Sequence, residues 1–275
     1  KGRLDYDGRP IFGMSCKNIV KDLKIIDDAI EIIPAHCMTP WFGLYGSQSG
    51  FNTLKECFEE EVYHIYAIES GMSADPEMLW KLNELVHIVS FSDAHSFWPW
   101  RLGREATIFD LDELSYKEII RAIRTGVGLK GTIETPPEYG KYHFDGHRNC
   151  NFSSAPAETK QRKGICPVCG KPLILGVDYR VEEIKKETHT PLERRRLFYK
   201  LLPLHELIAL AQDVSMESKS SWKLYNELIE KFGNEFNILL RISKLELAQA
   251  IKNEPLIDVI MKNREGAMNV TPGYD

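Results

Sequence analysis

The chain has 275 residues, 43% of them hydrophobic and 27% charged, the balance of a soluble globular protein with room for two or more domains rather than of a disordered polymer. Charges interrupt every apolar run before the roughly 18 residues a membrane-spanning helix needs, and no signal peptide opens the chain, so a cytoplasmic protein without membrane contact is expected. A net charge of −5 argues against a uniformly basic nucleic-acid coat but not against local basic stripes.

The chain starts Lys1-Gly2-Arg3-Leu4 without a Met and stops at the turn sequence Pro272-Gly273-Tyr274-Asp275, so both ends are expected to be cut. A helical pattern over residues 19–30 leads into an apolar strand, Glu31-Ile32-Ile33-Pro34-Ala35, that ends at His36. The loop that follows, residues 37–43, carries Trp41 and Phe42, which fold onto the body or form a binding lip. Residues 51–58 read as a helix with Asn52 or Ser49 near its N-cap, and residues 63–68 as a strand ending at Glu69. Another helix starts near Ser73 with Pro76 in its first turn.

The next apolar run, residues 85–91, delivers Ser92-Asp93-Ala94-His95-Ser96 at a strand tip. A short strand, Thr107-Ile108-Phe109, and a helix from Ser115 to Thr125, with Glu118 three residues after its Ser cap, complete a βα pattern with parallel strands. In such folds the strand ends share one ligand-binding face. His36, Glu69, Asp93 and His95 all fall there, and their side-chain types suit zinc, manganese or iron. Individually they have plainer readings: Asp93 as a cap, His95 as a surface histidine, Glu69 as a carboxylate at a helix start. His64 and His87 lie within strands and read as packed histidines.

Of six cysteines, Cys16, Cys37 and Cys57 stand alone, whereas Cys150, Cys166 and Cys169 cluster. Cys166-Pro-Val-Cys169-Gly170-Lys171 has the form of a zinc-ribbon knuckle, and Cys150 with His147 is the best second pair, His143 being the reserve for the fourth place. A module this poor in apolar residues needs its metal to fold, so zinc here is structural. Lys141, Arg148, Lys171 and Arg180 lie around it among aromatic residues, either as a nucleic-acid face or as solvated surface. Beyond the short run Arg194-Arg195-Arg196, read as a phosphate contact or a solvated linker, apolar residues recur at helical spacing over 204–212, 221–232 and 244–251, with a short apolar segment at 236–240.

Together Ile33-Pro34-Ala35-His36, Thr39-Pro40-Trp41-Phe42, Ser49-Gly50-Phe51, Ile68-Glu69-Ser70-Gly71-Met72-Ser73-Ala74-Asp75-Pro76, Ser92-Asp93-Ala94-His95-Ser96 and Leu102-Gly103-Arg104-Glu105-Ala106 resemble the polymerase-and-histidinol-phosphatase (PHP) domain of the endonuclease Q family. The resemblance implies a partial, distorted PHP-type (βα) barrel over residues 1–135, a zinc-binding module over 136–185 and a helical domain over 186–275. It implies an endonuclease that nicks DNA 5′ of deaminated bases (uracil, hypoxanthine, xanthine) or abasic sites, with DNA as substrate and DNA-repair or replication factors as candidate partners at the nucleoid. His36, Asp93 and His95 carry over as catalytic residues and ligands of Zn²⁺, Mg²⁺ or Mn²⁺, Asp93 also as a proton acceptor, and Glu69 as a site-face member of that cluster. Trp41, Phe42, Arg101, Arg104, Lys141, Arg148, Lys171 and Arg180 are the expected DNA contacts, and Trp98 and Trp100 candidate wedges. The family's opening His-x-His occurs nowhere here, so the expected cluster is incomplete and the chain alone poorly active. The rivals are a small-molecule PHP phosphatase and a zinc-stabilised DNA-binding module with a vestigial barrel.

Overall fold

Helix starts follow the side chains that cap them. In the structure, a computed structural model describing residues 12–48 and 50–275, α1 (Cys16–Ile26), α2 (Leu54–Phe58), α3 (Pro76–Trp80) and α4 (Tyr116–Thr125) open on Ser15, Thr53, Asp75 and Ser115. Each of those side chains accepts a hydrogen bond from a backbone N–H of the first turn. Thr53 therefore takes the cap expected at Asn52 or Ser49; Ser49 lies outside the described residues, as does the start at Lys1 to Leu4.

The strands are shorter than the apolar runs. β1 (Ala67–Glu69) and β2 (His87–Val89) form a parallel pair, in register Ala67 to His87 and Glu69 to Val89. Residues 31–35 run beside β1 without becoming a strand: the Glu69 N–H donates to the Pro34 carbonyl, but Pro34 has no N–H to return. β3 (Ala106–Phe109) pairs antiparallel with β4 (Leu129–Glu134), so the expected all-parallel arrangement does not hold. The small sheets are tied through Thr107, whose hydroxyl accepts from the Ser90 N–H and donates to the Ser90 carbonyl. The architecture is mixed α/β with small sheets, and no closed barrel forms among the described residues.

A hairpin of β5 (Asp145–His147) and β6 (Phe152–Ser154) leads through α5 (Pro156–Gln161) and the cysteine knuckle to α6 (Val177–Ile184). Val177, Val181 and Ile184 of α6 pack with Val20, Met38, Tyr45 and Phe58 in one core, closing the module onto the first part of the chain. The residues before the helical region include a strand that periodicity did not reveal, β7 (Leu197–Lys200), parallel to β4. After it come α7 (Leu204–Gln212), α8 (Lys219–Phe232), a π-helical turn at Asn237–Arg241, α9 (Lys244–Ala250) and α10 (Glu254–Arg264). Their shared core includes Ile133 of β4, so the helices are seated on the sheet. No helix among the described residues is long and apolar enough to cross a membrane.

One aromatic cluster joins the loop after His95 to these helices. Trp98 stacks on Trp100 at 5.1 Å, and His205 of α7 lies 4.9 Å from Trp100, 4.5 Å from Trp222 and 4.2 Å from Tyr225. His205 is fully buried with neither ring nitrogen partnered, and burial lowers its pKa from 6.5 to about 4. The unfolded chain takes up this proton below pH 6.5 while the folded protein resists it to about pH 4. Stability is therefore expected to fall by about 3 kcal/mol over that window. His205→Phe should flatten this part of the acid limb in urea titrations at pH 7 and pH 4.5; equal slopes for both proteins refute it.

Candidate active site and metal centre

His36 and Asp93 sit in tight turns with left-handed backbone, φ 35° and 42°. Such conformations cost roughly 1–3 kcal/mol for non-glycine residues and persist only where the surroundings hold them. Glu69 holds the first: its Oε2 accepts from the His36 N–H at 2.7 Å, and its carbonyl from the Cys37 N–H at 3.0 Å. Gly71 makes room, since a Cβ there would lie 2.7 Å from His36 Cβ. Arg104 holds the second, donating from Nε and Nη2 to the Ser92 carbonyl at 3.1 and 3.0 Å.

These turns bring His36, Asp93 and His95 to the wall of one cavity of about 510 Å³, with Trp41, Phe42 and Lys141 on the same wall. His95 Nε2 lies 3.4 Å from Asp93 Oδ1, both side chains being more than half exposed. His36 Nδ1 is buried without a hydrogen-bond partner. Glu69 is 6% exposed and does not line the cavity; burial raises its pKa against the opposing pull of the His36 amide. Its place is beneath the site, as a brace. The donors His36, Glu69, Asp93 and His95 do not converge on one point: among the described residues, the one group of three or more His, Cys, Asp or Glu ligand atoms within 4.8 Å of one another is elsewhere.

That group is His147, Cys150, Cys166 and Cys169. β5 presents His147, the turn before β6 presents Cys150, and the knuckle supplies the rest, turning through Gly170 at φ +72°. Cys169 Sγ lies 3.2 Å from His147 Nδ1. Burial opposes ionisation of Cys166, but the amides of Cys169 and Val168 and the neighbouring His147 and Cys169 side chains outweigh it, lowering the thiol to about 6. Burial and the adjoining Cys169 and Cys166 push Cys150 up to about 11. Crowded thiols ionise together only around a cation, and this set of donors fits a metal ion. His143, the reserve ligand, is buried and stacked on Phe144 at 5.1 Å, outside the group.

The expected DNA contacts separate by environment. Trp41 and Phe42 are exposed, Phe42 by 90%. Arg148 and Lys171 are also at the surface. Arg180 is not: it is 7% exposed, donating to the Tyr45 and Phe51 carbonyls and to Asn52 and pairing with Glu183, so it is a buried clamp with no free edge for a phosphate. Arg104 is half-buried and engaged with the Asp93 turn.

Sequence reasoning missed a buried acid pair. Glu134 Oε2 accepts from the Ser70 hydroxyl at 2.8 Å and the Ser90 hydroxyl at 3.0 Å, while Glu105 Oε1 accepts from the Thr135 N–H at 3.3 Å. Burial and the neighbouring carboxyl raise Glu105 to about 9, and burial raises Glu134 to about 8. Glu105 lies in the run Leu102-Gly103-Arg104-Glu105-Ala106, but nothing local in sequence marks its pairing across the fold.

Residues 203–267 match a family model described as the MJ0043 C-terminal domain. The chain is 30% identical over 283 residues to the uncharacterized protein MJ0043 of Methanocaldococcus jannaschii, covering 99% of this chain and 34% of that protein. The crystal structure of the lesion-specific endonuclease PfuEndoQ from Pyrococcus furiosus matches with a TM-score of 0.86 at 29% identity, over 99% of this chain and 67% of that one. The chain is similar to endonuclease Q. A second crystal structure, of endonuclease Q with a 27-mer duplex substrate carrying an abasic lesion at the active site, matches at TM-score 0.85 and 29% identity, over 97% and 66%. The likeness to endonuclease Q thus runs through both the cavity and the Cys/His group, while the chain spans about a third of the curated relative it matches.

Two measurements check these assignments. Elemental analysis of the purified protein should find about one tightly held metal ion per chain, with Cys166→Ser abolishing it and lowering the melting temperature; full metal content in the variant refutes the centre. Because Glu105 and Glu134 bind protons more tightly folded than unfolded, stability is full below about pH 4.5 and falls as pH rises toward 8 to 9. Glu134→Gln should flatten that alkaline loss, and a variant with the parent's slope would show the pair is already ionised.

Proposed function

We propose that the chain belongs to a metal-dependent, lesion-specific DNA endonuclease acting in repair, which nicks 5′ of deaminated bases or abasic sites. The observation that carries the reading is the structural match across 99% of the chain to a lesion-specific endonuclease, together with the cavity that gathers His36, Asp93 and His95. A small-molecule phosphatase has no use for the Cys/His module and the helical region, both of which the matched structures span.

In this reading His36, Asp93 and His95 hold divalent metal (Zn²⁺, Mg²⁺ or Mn²⁺), which when bound supplies Lewis acidity and an acidified water. The unpartnered His36 Nδ1 fits that role, and donors beyond those three are needed to complete the set. Zinc, with structural weight only, is assigned to His147, Cys150, Cys166 and Cys169. Lys141, 4.6 Å over the Tyr142 ring, places a cation at the cavity edge for a backbone phosphate. Phe42, Phe97 and Trp98, exposed by 90%, 80% and 41%, offer faces for a base drawn out of its stack, where loss of an exocyclic amine is read at the base edge.

The test, made on the full-length protein because three donors leave the metal set incomplete, is nicking of duplexes containing uracil, hypoxanthine or an abasic site with Mg²⁺, Mn²⁺ or Zn²⁺. Asp93→Ala is expected to lower the rate on the order of 10²–10⁴-fold with duplex binding retained. Undiminished nicking by the variant, or hydrolysis of small phosphomonoesters alone, sinks the reading.

A further inference from the structure

The arginine run lies at the opposite end of β2 from Asp93, and its chemistry is distinct from that of the cavity above. Arg194 donates from Nη2 to the Leu85 carbonyl at 2.9 Å, Arg195 from Nε to the Thr190 carbonyl at 2.9 Å, and Arg196 from Nη2 to the Gly126 carbonyl at 3.4 Å. All three contacts are to neutral backbone. Arg121, Arg124, Arg148, Arg162 and Arg180 form ion pairs; Arg194, Arg195 and Arg196 form none among the described residues.

Two of these uncompensated guanidiniums, Arg194 and Arg196, line a small cavity of about 20 Å³ with His87, Thr132 and Thr190, and no carboxylate lies on its wall. That is room for one oxygen-sized group with the remainder of a ligand at the mouth. Arg196 Nε is buried and has no partner. Gly126, at φ +76° after α4, lets the donors converge: a Cβ there would lie 2.6 Å from His87 Cε1 and 2.9 Å from Arg196 Nη2. Burial lowers the His87 pKa and the charges of Arg194 and Arg196 lower it further, so the positive field of both reaches the cavity. Two forked donors without a carboxylate partner at a water-sized space, with a neutral imidazole and the Thr190 hydroxyl, are the makings of an oxyanion site.

We infer that Arg194, Arg196, His87 and Thr190 form a binding site for a phosphate group, separate from the candidate active site. One phosphate oxygen enters the cavity between Arg194 and Arg196, and Arg194 meets the outer oxygens. The inference does not rest on the proposed nuclease activity. The group is supplied either by a nucleic-acid backbone or by free phosphate.

Thermal melts with inorganic phosphate against sodium chloride at matched ionic strength decide it. Saturating phosphate should raise the melting temperature by about 5 °C beyond chloride. Arg194→Gln, at an exposed position, should melt as the parent does without phosphate yet need at least tenfold more phosphate for half the rise. Arg196→Lys, which keeps the charge and loses the forked donor, should behave likewise. If the group belongs to DNA, phosphate competes with an undamaged duplex and Arg194→Gln reduces the salt slope of duplex binding by about one. If it is free phosphate, duplex affinity is the same in parent and variant. A rise no larger than chloride gives, or an unchanged phosphate midpoint in Arg194→Gln, overturns the site.

Discussion

The contacts on which the candidate site hangs are the hydroxyl–carboxyl bonds among Ser70, Glu134, Ser90 and Glu105. All four residues are buried, and Ser90 donates within reach of both carboxyls, 3.0 Å from Glu134 and 3.3 Å from Glu105. Ser70 follows Glu69, Ser90 leads into the Asp93 turn, and Glu105 follows the Arg104 that holds Ser92. The tips of β1, β2 and β4 and the segment entering β3 are thus fastened beneath the cavity at one point. Carboxylates so buried would repel; as neutral acids they accept from the serines and pack.

That constraint explains how left-handed turns at His36 and Asp93 persist. Each turn is fixed by a group from a distant part of the chain: Glu69 Oε2 on the His36 amide, and the Arg104 guanidinium on the Ser92 carbonyl. Preorganisation of this kind fixes the backbone at His36 and Asp93 independently of any bound group. The Asp93 and His95 side chains stay more than half exposed above these braces.

Signals of short range in sequence were legible. Ser115 with Glu118, Pro76, the cysteine knuckle and Asp93-Ala94-His95 each act through neighbours a few residues away, and the helix of residues 115–125, the start of α3, and the convergence of His147 with Cys150 follow from them. Features made by tertiary contact were not. Glu105 and Glu134 read as ordinary charged residues, and only the fold shows that they meet. Arg180 reads as a surface cation because arginine is mostly exposed; three carbonyl and amide oxygens reached across the chain bury it. β7 follows a basic run and shows no alternation, its pairing being supplied by β4. The apolar run before His36 carries strand composition but fails at Pro34, where half the ladder is missing.

The helical region also takes on a role that helical spacing alone does not imply. Trp98 and Trp100, three and five residues beyond His95, are held in the cluster of His205, Trp222 and Tyr225 on α7 and α8. The loop bearing Asp93 and His95 is consequently fixed at both ends, by the acid pair on the strand side and by aromatic packing on the helix side. Pairing of β7 with β4 and the inclusion of Ile133 in the helical core make the same connection through the sheet. An appendage that only added DNA contacts would leave the cavity intact when displaced. Here displacing α7 and α8 frees Trp100 and unmoors the segment after His95, so the helices belong to the construction of the candidate site as well as to whatever surface they present.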